Sequence, residues 1–157
     1  MKSLSRAVLA LGFALVFAPT GVRSDTPGRH PLYIHARSDM RAAQLFMRLR
    51  EDDPKVSWRL HQADLEIEAG IKELDRAAVI DHKDLVENPQ IDVIADRPGR
   101  LHKIVDLLRG ARRDLGREED NPNAVGWRDL AFKRIDNAMD HIHRAAVDLK
   151  IDRDLGF

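Results

Sequence analysis

The chain has 157 residues, with 26 basic side chains against 26 acidic ones and no cysteine. Such a length accommodates one domain with its own core. Balanced charge argues against nucleic acid as a partner, and the lack of cysteine excludes a disulfide framework, an iron–sulfur cluster, c-type haem attachment and a thiol nucleophile.

Lys2 and Arg6 precede an apolar run from Ala7 to Ala18, which Pro19 and Gly21 interrupt. The run is shorter than the roughly 20 residues a membrane-spanning helix needs. Val22-Arg23-Ser24 follows at the cleavage position. This layout predicts a signal peptide over residues 1–24, cleaved after Ser24. The mature protein would be periplasmic or secreted, without a transmembrane segment. Losing Lys2, Arg6 and Arg23 leaves 23 basic against 26 acidic residues, a mature net charge of −3.

Residues 25–30 read as a flexible lead-in, and 31–157 as an all-α bundle. Helix one is expected over Pro31–Glu51, with Pro31 in the first turn. Asp52-Asp53-Pro54 closes it and opens helix two, which runs to about residue 84 with Asp53 as N-cap. Leu85–Arg97 is a long connection. Helix three is expected over Pro98–Glu118, the Asp120-Asn121-Pro122-Asn123 stretch is a turn, and helix four spans Ala124–Lys150.

Apolar stripes at three- and four-residue spacing support each helix. Helix two carries Leu60, Ala63, Ile67, Ile71, Leu74 and Ala78. Helix four carries Ala131, Ile135, Ala138, Ile142, Ala145 and Leu149. Four amphipathic helices predict an up-down-up-down four-helix bundle after the cleaved signal peptide.

Polar residues interrupt this pattern. A second stripe on helix one reads Leu32, His35, Asp39, Ala42, Phe46 and Leu49, placing His35 and Asp39 on one face. Asp81 takes a core register at the end of helix two, beside His82. His102 flanks Leu101 on helix three, and His141 borders the stripe of helix four. In an up-down-up-down bundle all of these share one end. His35, Asp39, Asp81, His102 and His141 are therefore the candidate ligands for a transition metal, Zn or Cu, because imidazole and carboxylate suit such ions. Haem held by Met40 or His35 with His141 is an alternative. A further one is a ligand-free ion network paired with nearby arginines, in a structural or interaction protein with a periplasmic partner. Ile91, Val93 and Ile94 are expected to fold over this end as a lid or plug. Trp58 and Trp127 are expected to cap the other end, and His143 to stack with Asp136 on the outer face. No nucleophile with its base can be assembled, so no enzyme is predicted.

The segment His30-Pro31-Leu32-Tyr33-Ile34-His35-Ala36-Arg37-Ser38-Asp39-Met40-Arg41, with Arg100-Leu101-His102 and Arg117-Glu118-Glu119-Asp120-Asn121-Pro122, resembles a group of small exported bacterial all-helical proteins. The resemblance implies export and a helical fold, and supplies no reaction. It marks His35, Asp39, Arg41 and His102 as part of the shared pattern. This chain departs from that pattern at His82, where a small or acidic residue is expected.

Overall fold

The structure, a computed structural model, describes residues 32–80, 85–86, 99–117 and 122–157. They form four helices: α1 (Leu32–Met47), α2 (Pro54–Ile80), α3 (Arg100–Leu115) and α4 (Val125–Asp148). There is no strand among the described residues, and none of their helices is long and apolar enough to cross a membrane. The all-α four-helix bundle expected from periodicity is the architecture found. The signal peptide, the lead-in, Asp81, His82 and the apolar trio Ile91, Val93 and Ile94 lie outside the described residues.

Local chemistry sets the helix ends. The Asp53 carboxylate accepts the amides of Lys55 at 2.8 Å and Val56 at 3.2 Å, which satisfies two donors in the first turn of α2. α4 ends with the Ile151 amide bonded back to the Ala146 carbonyl at 2.9 Å. That bond needs Lys150 at φ 60°, the left-handed position usually given to glycine.

The core is the union of the stripes. Leu60, Ala63, Ile67 and Leu74 of α2 and Ala131, Ile135, Ala138, Ile142 and Ala145 of α4 are all buried. Each large side chain stabilises the fold by about 1.5–3 kcal/mol. Two rows of small residues, Ala63, Gly70 and Ala77 on α2 and Ala131, Ala138 and Ala145 on α4, repeat every seven positions. They bring the two helices close together. A β-carbon at Gly70 would lie 2.7 Å from the Met40 terminal methyl, 3.1 Å from Arg134 Cβ and 3.7 Å from the Ala131 carbonyl oxygen.

The direction of α3 corrects the up-down-up-down expectation. α1 packs on α2 and α3, and α4 packs on α2 and α3, so α2 and α3 lie across the diagonal. Arg100, at the start of α3, donates to the carbonyls of Leu49 (2.8 Å) and Arg50 (3.0 Å) just past the end of α1. His35, in the first turn of α1, meets Asp114 in the last turn of α3. α3 is therefore antiparallel to α1 and parallel to α2. On the other side, Arg59 of α2 reaches Asp148 of α4 at 2.6 Å, and Arg112 of α3 reaches Asp136 of α4 at 2.7 Å. The order is up-down-down-up, and all four neighbouring pairs are antiparallel. The physical reason is the chain between Ile80 and Arg100. At roughly 3.3 Å per extended residue it is long enough to cross the bundle from end to end, so α3 need not reverse against α2. One long crossover of this kind is a recurrent bundle topology.

Candidate metal centre

Reversing α3 changes which residues meet. His35 and Asp39 stand one turn apart on the face of α1 that packs on α3, and the last turn of α3 brings Asp114 against them. His35 Nδ1 and Asp114 Oδ2 are 2.6 Å apart, with side chains 17% and 11% exposed. Asp39 is fully buried. One ligand-type atom from each of His35, Asp39 and Asp114 lies within 4.8 Å of the others. The trio pairs a borderline nitrogen donor with two hard oxygen donors, a set that suits a divalent ion.

Asp114 was not singled out from the sequence, although a signal exists. It falls seven residues after Leu107 and three after Ala111, both buried, so an acid occupies a core register there.

Several basic side chains near these acids in sequence form pairs with other groups. Arg37 is 1% exposed and donates to Asp75 Oδ1 and to the Leu85 carbonyl, each at 2.9 Å. It points towards α2 because two residues rotate a side chain by about 200° from Asp39. Arg41 also reaches Asp75. Arg100 binds Glu51, Lys103 lies over the Phe46 ring, and Arg144 pairs with Asp140.

Two of the proposed ligands are not in this group. His102 starts α3 and therefore lies at the far end, where its Nε2 is 3.3 Å from the Asp154 carbonyl oxygen. His141 lies in the last third of α4, in the same far half, edge-on to Trp58 with ring centroids 6.4 Å apart. Its Nδ1 is enclosed without a hydrogen-bond partner among the described residues. The described members of the five-residue cluster, His35, Asp39, His102 and His141, are thus divided between the two ends, because the reversal of α3 also reverses α4 relative to the expected bundle. Haem ligation by His35 with His141 fails for the same reason. Met40 with His141 fails as well, because the Met40 methyl packs at the level of Gly70 and Ala131, well short of His141.

The tryptophans separate likewise. Trp58 stands at the far end and is 56% exposed, rather than covering the core. Trp127 lies at the near end with the Arg76 guanidinium 4.8 Å above its ring. His143 stacks on Phe157 at 4.7 Å, and the Asp136 expected beside it pairs with Arg112 instead.

An open cleft of about 410 Å³ at the α1–α2 turn is lined by Arg48, Arg50, Glu51, Ser57, His61 and Asp64, among others. Its two acids are already held, Asp64 by Arg48 and Gln44 and Glu51 by Arg100. The neighbouring carboxylate of Asp64 raises the Arg48 pKa further above its ordinary value, chiefly through their hydrogen bond. The cleft adds no ligands to the His35 trio.

No protein-family model matches this chain, and no curated protein and no solved structure is similar to it.

Proposed function

We propose that this is an exported helical-bundle protein that holds one divalent transition-metal ion, Zn²⁺ or Cu²⁺, through His35, Asp39 and Asp114. The observation that carries this reading is the convergence of an imidazole and two carboxylates from two helices within 4.8 Å, in a place where Asp39 is fully buried. Imidazole and carboxylate are ordinary ligands of such ions, and a divalent ion would supply two positive charges beside the two carboxylates. Three protein ligands leave a fourth tetrahedral position for water or another small ligand.

One observation favours a second reading. The 2.6 Å contact between His35 and Asp114 is short enough for a charge-assisted hydrogen bond. Without a metal the trio would serve as a clamp between α1 and α3, in a structural or interaction protein.

Zinc titration of the untagged, chelator-treated full chain separates the two. Metal binding predicts one equivalent per chain and stabilisation of roughly 2.7 kcal/mol at about a hundredfold excess over Kd. That is on the order of 8 °C in Tm for a domain of this size. The gain should vanish in Asp39→Ala and His35→Ala. An unchanged Tm with Zn²⁺ and with Cu²⁺, and no metal in protein isolated from its native compartment, would leave only the clamp. N-terminal sequencing of the exported protein should begin at Asp25.

A further inference from the structure

The last residues of the chain occupy the sparsest of the four helix seams, α3 against α4. Leu155 is fully buried and belongs to the core. Arg109 of α3 donates through Nη2 to the Gly156 carbonyl at 2.9 Å, and its guanidinium lies 5.8 Å from the centre of the Phe157 ring. The other partner of that ring is His143 of α4, stacked at 4.7 Å with 22° between the planes. His102 contacts the Asp154 carbonyl from the start of α3. The tail is thus bound as a peptide is bound. It has one apolar anchor, Leu155, a main-chain carbonyl on each side of that anchor, Asp154 and Gly156, contacted by a side chain of α3, and the Phe157 ring held between an arginine and a histidine.

The joint that turns the tail back is the unfavourable element. Lys150 adopts φ 60°, where a β-carbon is disfavoured and glycine is the usual occupant. The bonds that close the joint run from the Lys150 amide to the Val147 carbonyl at 3.0 Å and from Ile151 to Ala146 at 2.9 Å. If α4 instead continued through Lys150, ordinary helical bonds would replace both and the strain would be relieved. The tail would then project away from its own groove.

We infer that residues 151–157 are an exchangeable strap, and that the α3–α4 groove of one copy accepts the tail of a second copy of this chain. Every groove contact of the closed form recurs in the exchanged pair, so the two states differ in the hinge and in the entropy of association. Exchange of an identical element is an accessible route to a dimer when a hinge is strained. The strap is held by His102 and Arg109 of α3 and His143 of α4, none of which belongs to the His35, Asp39 and Asp114 trio, so this inference does not depend on the metal reading.

Cysteine pairing tests it cleanly, because the chain contains no cysteine. Full-length His102→Cys and Asp154→Cys proteins, prepared separately, are mixed at high concentration and oxidised. A second mixture pairs Asp154→Cys with Lys72→Cys, on the exposed face of α2, as the measure of random collision. Exchange predicts that the tail-to-α3 disulfide between copies forms in several-fold excess over the collision pair. It also predicts that adding Lys150→Gly lowers that excess by relieving strain in the closed form, and that Leu155→Ser in the tail-donating copy abolishes it. An intermolecular yield no greater than collision would overturn the proposal. So would a yield that Lys150→Gly leaves unchanged, since the hinge would then play no part. Light scattering of the unmodified chain over the same concentrations should show a dimer that grows with concentration, and a strictly monomeric chain would overturn it as well.

Discussion

The α2–α4 and α1–α3 seams are built on different principles. Between α2 and α4 the contact is apolar and close. Small residues recur every seventh position on both helices, and ion pairs such as Arg134 with Glu66 at 2.9 Å border the seam. Between α1 and α3 the contact encloses polar groups. Asp39 of α1 and Asp114 of α3 are both buried there, with His35 beside them. The first seam derives its stability from area removed from water. The second must satisfy or neutralise each polar group it encloses, so it contributes less to stability and holds the chemically active side chains.

The largest test breaks the apolar seam. Ile67 is fully buried, and Ile67→Asp would place an unpaired carboxylate there at a cost of several kcal/mol, against a total stability of about 5–15 kcal/mol. The helical circular dichroism signal should be lost at room temperature, and a cooperative melt like that of the wild type would mean that this seam does not hold the fold.

A smaller change should come from the polar seam, and its sign depends on how the pair is removed. Asp114→Ala removes the hydrogen bond between Asp114 and His35 and should cost about 1–3 kcal/mol in a urea melt with chelator present. His35→Leu combined with Asp114→Leu should lie within about 1 kcal/mol of the wild type, because an apolar pair of similar size replaces a buried polar one. The same double variant should lose all Zn²⁺-dependent stabilisation. If it is as unstable as the single variant, the trio is a structural element and the contrast between the seams disappears.

The smallest effect sharpens the geometry of the close seam. In Gly70→Ala the new methyl presses on the Met40 methyl and on Arg134 Cβ, at a cost of about 1–3 kcal/mol for overpacking. Helix propensity returns roughly 1 kcal/mol. The net loss should be on the order of 1 kcal/mol by thermal melt. A gain in stability would show that Met40 moves freely and that the helices are not held at their closest approach.

Periodicity by itself determined the four helices, their faces and the cap at Asp53. These depend on residues within a few turns of one another, and a 3.6-residue repeat records them directly in the sequence. His35 and Asp39 were legible for the same reason, since i and i+4 share a face on any helix. The direction of α3 was not legible in that way, because an apolar stripe reads identically in both senses along its axis. The one trace of it was the length of the chain between Ile80 and Arg100, long enough for a crossover. From that single choice the tertiary structure decided the rest: Asp114 joins His35 and Asp39, His102 and His141 go to the far half, and Trp58 and Trp127 stand at opposite ends. Packing of one helix against another is set by contacts between residues far apart in sequence, and the orientation of the partner decides which side chains meet.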